Sequence, residues 1–195
     1  MYQTEFEFMA GRPRPKYPER LFIGVFPGHE TARAIDQFSR KFSRELGLTG
    51  SLLKVLRLHT SIAHVSDRKH LRSADAFAAE LAANAVDIPP FELTFSRMGS
   101  FRGVPKRGRP LLHPLVLVAD EGPVQKLYDV LGTNLRKFRF PIPEEYWPHL
   151  TLPYNEQFVP MRSIEPITLQ IDEFALVHSE LWLTKYNIIR RWKLH

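Results

Sequence analysis

Hydrophobic and polar positions along this chain follow two rhythms, one of strands and one of helices. A compact apolar run rich in β-formers, "RLFIGVFP" at 20–27, predicts a buried strand. From about Glu30 to Leu46 the period changes. Ile35, Phe38, Phe42 and Leu46 recur at spacings of three and four, while Arg33, Asp36, Arg40 and Arg44 take the other faces, which predicts an amphipathic helix. "LRLHTSIAHV" (56–65) reads as a second strand. A second helix is expected over about 69–86, with Phe77, Ala78, Leu81, Ala82 and Ala85 as its apolar stripe and "DIPP" ending it. "FELTFSRMG" (91–99) and "PLLHPLVLVAD" (110–120) predict strands joined by the glycine-rich, basic loop "SFRGVPKRGR". A third helix from about Gly122 to Phe138 carries Val124, Leu127, Leu131, Leu135 and Phe138 on one face. The strand-like "WPHLTLPY" (147–154) follows, and two further β-like runs, "ITLQIDEFALVHS" and "LWLTKYNIIRRWKL", complete the chain.

The order is therefore β-α-β-α-β-β-α-β-β-β, an α+β chain. Two of its strands share a phrase, "RLHTSIAH" and "WPHLTLPY", and each follows a helix. That echo suggests two similar lobes, each contributing one such strand.

Composition narrows the setting. At 195 residues with 44% hydrophobic and 25% charged, the chain is long enough to bury a core without covalent staples and too apolar for wholesale disorder. The absence of cysteine removes disulfides, thiolate nucleophiles and cysteine-based metal sites. The first residues carry early acidic side chains and no apolar core of signal-peptide length, and no run reaches the roughly 20 apolar residues of a membrane span. The expectation is a cytoplasmic, soluble monomer without membrane association. A formal charge of +6 favours polyanionic partners. Residues 1–18 end in "GRPRPKYP", whose prolines exclude a regular helix or central strand; they read as a basic, proline-rich arm before a single domain spanning 19–195.

In an extended strand, residues two apart share a face. His59 and Ser61 therefore point one way and Leu58, Thr60 and Ile62 the other; likewise His149 and Thr151 stand against Leu150 and Leu152. One His-x-hydroxyl phrase carries little information, but two on matched strands suit in-line attack at a phosphodiester. One neutral imidazole accepts a proton from the attacking water or hydroxyl, and the other, protonated, supplies one to the departing oxygen. The hydroxyls donate to the non-bridging oxygens as charge builds there. This scheme needs no metal and no cofactor.

The doublet His59-Thr60-Ser61 and His149-Leu150-Thr151 resembles the paired H-x-[ST] signature of the two-histidine (2H) phosphoesterases. Within them the chain is most similar to the LigT-like branch, the RNA 2′,3′-cyclic phosphodiesterases historically called 2′-5′ RNA ligases. The likeness runs over about residues 20–194, through "RLFIGVFP", "WPHLTLPY", "ITLQIDEFALVHSEL" and "KYNIIRRWKL" in family order. It implies a bilobal fold with a pseudo-twofold axis, two lobes of antiparallel sheet, helices outside and a central groove. It also implies metal-independent hydrolysis of ribose 2′,3′-cyclic phosphates at RNA ends to 2′-phosphates, with reversal as 2′-5′ ligation. By the same resemblance His59 is the general acid, His149 the general base, and Ser61 and Thr151 hold the phosphate. Two positions depart from the pattern: Ser61 stands where threonine is more usual, and "KYNII" replaces a glycine-bearing turn. The rival readings are a cyclic phosphodiesterase for small nucleotides of the ADP-ribose cyclic phosphate type, and a non-catalytic RNA-binding module.

Around this pair lie candidates for substrate contact. The loop 100–110 offers Phe101 for base stacking and Arg102, Lys106, Arg107 and Arg109 for phosphates, the alternative being a solvated basic hairpin. Tyr154, Tyr186 and Trp192 are candidates for a base pocket, with packing as their alternative. His64 falls opposite His59 on an unbroken strand and reads as structural; His113 reads as a core or edge residue. His29, His70, His178 and His195 have no spaced partner that resembles a metal set.

Overall fold

The first apolar run forms β1 (Glu19–Val25), and its alternation sets up the two faces of the molecule. Leu21, Ile23 and Val25 join the main core, whereas Phe22 belongs to a smaller cluster with Ala175 and Val177 on the other side. The computed structural model describes residues 16–195 except 106, 121 and 182. Among these residues β1 is followed by α1 (His29–Glu45), a 3-10 turn (Val55–Arg57), β2 (Thr60–Arg68), α2 (Ser73–Asn84), β3 (Phe91–Ser100) and β4 (His113–Ala119). Then come α3 (Pro123–Lys137), β5 (His149–Asn155), β6 (Arg162–Ile171), β7 (Glu173–Glu180) and β8 (Lys185–Lys193). Most of the expected arm, residues 1–15, lies outside the described residues. No helix among those described is long and apolar enough to cross a membrane.

The strands hydrogen-bond in the order β6-β3-β4-β5-β2-β1-β7-β8, and the pairings are antiparallel. Two four-stranded lobes meet where β5 adjoins β2, and the ladder there is a single pair, Thr60 opposite Leu150. The lobes are alike in plan: β1-α1-β2 supplies the inner strand of one and β4-α3-β5 the inner strand of the other. One pair of strand residues contributes little, since each hydrogen bond nets about 0.5–1.5 kcal/mol. Continuity of the core holds the lobes together instead. Leu21, Ile62, Leu117, Leu127, Leu150 and Leu176 belong to one cluster that runs beneath the helices across the seam, and each such side chain contributes about 1.5–3 kcal/mol. The helices cover this face, which leaves the opposite face of the sheet open as a groove.

Three expectations need correction. The run 167–179 is two strands in different lobes, because Ile171 pairs with Phe91 and Ala175 with Gly24; the chain crosses between lobes at Asp172, and the sheet has eight strands. The stripe of α2 is made of Ala76, Ala79, Ala82 and Ala83, while Phe77 is 63% exposed. Small residues let α2 lie close to α3, near enough for Asn134 Nδ2 to donate to the Ala82 carbonyl at 3.2 Å. Third, β2 is not an unbroken strand. Its pairing with β1 jumps from Leu21–Ser66 to Phe22–His64, and from Ile23–Ala63 to Gly24–Ser61. Each jump inserts one residue and resets the alternation. His64 is thereby brought opposite Phe22 and onto the open face, which parity on an unbroken strand would forbid.

Candidate active site

The seam decides where the chemistry sits. His59 immediately precedes β2 and His149 opens β5, so both flank the Thr60–Leu150 pair. Leu150 is in the core under the helices; its neighbours His149 and Thr151 therefore face the groove. Across β4 they stand opposite Val118 and Val116, which floor the groove on that side. In the other lobe Ser61 stands opposite Gly24, where an added Cβ would come within 3.0 Å of the Thr60 carbonyl and 3.2 Å of the Phe22 ring.

Both imidazoles are aimed by one local device. His59 Nδ1 lies 2.8 Å from the Arg57 carbonyl and His149 Nδ1 lies 2.6 Å from the Trp147 carbonyl, in each case two residues upstream. A carbonyl only accepts, so Nδ1 carries the hydrogen and Nε2 of the neutral ring is left as the acceptor. Ser61 Oγ, 3.1 Å from His59 Nε2, donates to it. An aromatic ring braces each imidazole: Phe22 lies 4.9 Å from His59, and Phe101 lies 5.1 Å from His149 in an edge-on contact. Phe26 and Tyr186 also pack on His59, at 5.9 and 5.4 Å.

The two rings differ in electrostatic setting. Burial among these aromatics pushes the His59 pKa down to about 4; the positive charges of Arg57, His149 and Arg20 add to this, while the bond to the Arg57 carbonyl opposes it. His59 is accordingly neutral at pH 7. The Arg57 guanidinium lies 4.7 Å from the centre of the Tyr186 ring and donates to Tyr186 Oη at 3.4 Å, while its buried Nε has no hydrogen-bond partner.

Beyond the seam β2 and the segment before β5 diverge, and a cleft of about 650 Å³ opens between them. Ser61, His149, Phe101, Arg102, Tyr146 and Trp147 are among the residues that line it. Tyr146 is fixed there, since its hydroxyl donates to the Ser61 carbonyl at 3.0 Å and its ring stacks on Tyr128 at 4.3 Å. His64 also lines the cleft, with Nε2 3.2 Å from Asp67 Oδ1; Arg20 grips the same carboxylate with bonds of 2.8 and 2.9 Å.

His59, Ser61, His149 and Thr151 are thus brought together at the seam, and Phe101 and Arg102 join them. Arg109 lies exposed on the loop's turn and Tyr154 is exposed on β5; neither lines the cleft. Tyr186 packs on His59 and Arg57, and Trp192 stacks on Phe174 at 5.3 Å and donates to Asn84. Lys106 falls outside the described residues. His113 anchors the loop by accepting the Gly103 N–H at 3.1 Å. Among the described residues no group of three or more His, Asp or Glu is arranged to hold a metal ion. Sequence reasoning missed Phe22, Phe26, Arg57, His64 and Trp147. A signal existed for the first two: "LFIGVF" puts Phe22, Gly24 and Phe26 on one face of a strand, leaving a gap between two rings into which another strand's side chain fits.

Residues 27–187 match the 2'-5' RNA ligase superfamily. No curated protein sequence matches the chain. Among solved structures, that of E. coli LigT complexed with ATP is similar over 91% of this chain and 98% of its own, at 22% identity and a TM-score of 0.65. The structure of TT0787 of Thermus thermophilus is similar over 90% and 97%, at 21% identity and a TM-score of 0.68. E. coli LigT complexed with 3'-AMP is similar over 91% and 98%, at 23% identity and a TM-score of 0.65.

Proposed function

Because the chain belongs to the 2′-5′ RNA ligase superfamily, we propose that it is a cyclic phosphodiesterase that opens ribose 2′,3′-cyclic phosphates at RNA ends to 2′-phosphates. One observation carries the reading: two imidazoles, each held through Nδ1 by a carbonyl two residues upstream, flank a single seam pair on the open face. E. coli LigT, which shares the fold, is solved in complex with ATP and with 3'-AMP, and a nucleotide substrate for this chain is in keeping with that. The net positive charge draws a polyanion towards it.

We take the roles in the opposite sense to the family resemblance, because burial among aromatic rings disfavours a proton on His59. His59, neutral at pH 7, takes a proton from water through Nε2 as the water oxygen attacks phosphorus. The bond from phosphorus to the 3′-oxygen breaks, and His149 Nε2 supplies the proton that oxygen needs. The products are a 2′-phosphate and a 3′-hydroxyl, with His59 left protonated and His149 neutral. For His59 to act as this base, the Ser61 hydroxyl turns from His59 Nε2 to a non-bridging oxygen as the phosphate binds, as Thr151 does from the other lobe, which frees that nitrogen's lone pair for the water. An RNA 5′-hydroxyl in place of water gives a 2′-5′ linkage. Every proton is accounted for by the two rings, so turnover persists in chelator. The setting is a cytoplasmic monomer acting on RNA ends.

The test is hydrolysis of nucleoside 2′,3′-cyclic phosphates and of RNA ending in one, with EDTA present and the product identified by phosphorus NMR. His59→Ala and His149→Ala should each lower kcat by about 10²- to 10⁴-fold with the fold retained. Near-normal turnover in either variant overturns the two-histidine scheme.

A further inference from the structure

We propose that the cleft beside His149 is a nucleobase subsite, in which the base of the nucleotide undergoing reaction stacks on Trp147. The proposal rests on the cyclic phosphodiesterase reading and adds to it the side of the histidine pair on which the nucleoside lies.

Position comes first. Ser61 and His149 belong to the wall of this cleft, so a phosphate held at the seam leaves its own nucleoside at the cleft's mouth. The other flank is closed, because Phe22, Phe26 and Tyr186 occupy the space around His59 with ring centres 4.9 to 5.9 Å away. Size and chemistry agree with position. A volume of about 650 Å³ falls within the roughly 300–1,000 Å³ of small-molecule sites. Its walls are largely apolar, from Ile62, Ala63, Ile142 and Pro143, as a heterocycle requires; of the charged residues in the lining, Arg102 suits a phosphate and Glu145 suits the amino or N–H edge of a base.

Trp147 is the stacking surface. It is 61% exposed, although indoles are usually well covered. Tyr146 is already committed, with its face on Tyr128 and its hydroxyl on the Ser61 carbonyl. The carbonyl of Trp147 fixes His149 Nδ1, so a base resting on the indole is referenced through one residue's backbone to the ring that protonates the leaving group. Stacking of this kind tolerates any base, since each presents a π-face.

The experiment compares Trp147→Ala and Trp147→Phe with the unmodified protein on two substrates, adenosine 2′,3′-cyclic phosphate and the baseless methyl riboside 2′,3′-cyclic phosphate. The ratio of kcat/KM between them should fall by about 10- to 100-fold in Trp147→Ala and be largely restored in Trp147→Phe. Calorimetric binding of adenosine 2′-monophosphate, which needs no turnover, should weaken by the same factor. An unchanged ratio together with unchanged nucleotide binding overturns the subsite. If no variant and no unmodified protein hydrolyses either substrate, the cyclic phosphodiesterase reading falls, and the binding comparison alone decides whether Trp147 receives a base.

Discussion

The neutral state of His59 makes a prediction that can be worked through. The perturbation is acidification, compared between the unmodified protein and His59→Asn, whose amide can still donate to the Arg57 carbonyl but does not titrate. In the folded chain the His59 pKa is about 4 against an ordinary 6.5. As pH falls below about 6.5 the unfolded chain binds a proton that the folded chain refuses. Stability from this residue is therefore fully present above the ordinary value and is lost as pH falls to the folded one. The whole gap is worth about 3 kcal/mol, and at pH 5 the loss is about 2 kcal/mol. Because the ring is only half-buried, solvent screening makes these upper figures. The assay is the urea midpoint from pH 7.5 to 4.5. Asp67, held low by its bond from Arg20, also loses stability in acid, but it does so in both proteins and cancels in the difference. His59→Asn should lose about 1–2 kcal/mol less than the unmodified protein between pH 7 and pH 5. Parallel curves, or an NMR titration of His59 near 6.5, would show that the aromatic surround does not keep the ring neutral, and the base assignment would lose its support.

Three other outcomes follow from the same geometry. With bis(4-nitrophenyl) phosphate, whose leaving group needs no proton, His149→Ala should retain most of its turnover and His59→Ala should lose it; the reverse pattern makes His59 the acid. Ser61→Ala and Thr151→Val should each lower kcat by about 10²-fold with little change in KM, as for one lost donor to developing charge, and a change confined to KM would contradict that role. Gly103→Ala places a methyl group 1.9 Å from the Leu112 carbonyl, so the loop must reshape and carry Phe101 and Arg102 with it; a raised KM with a normal melting temperature is expected, and unaltered kinetics would remove the loop from the site.

How much of this is legible in the sequence depends on whether a feature is local or needs a partner strand. The two His-x-hydroxyl phrases are legible because the face on which His59 and Ser61, or His149 and Thr151, stand is set by a stretch of three residues, and the carbonyl that fixes each Nδ1 lies only two residues upstream. Helices α1 and α3 are legible for the same reason, since Ile35 and Phe42, or Leu127, Leu131 and Leu135, report their own period. His64 is misplaced by parity because its face is decided by the bulge at Ile62, which lies between it and His59, and a bulge exists only relative to the register of β1. The stripe of α2 is misread because hydrophobicity favours Phe77, whereas the closeness of α3 selects alanine. The break at Asp172 is hidden because two strands with the same alternation abut there, and only their different partners, β3 and β1, separate them. The cleft is the extreme case. Nothing near Trp147 in sequence says that β2 and the segment before β5 part after one shared pair; that follows from two lobes whose common core lies on the opposite face of the sheet. An open wedge at that seam is the consequence of joining the halves through their helices' side, and it is where chemistry between two histidines has room for a substrate.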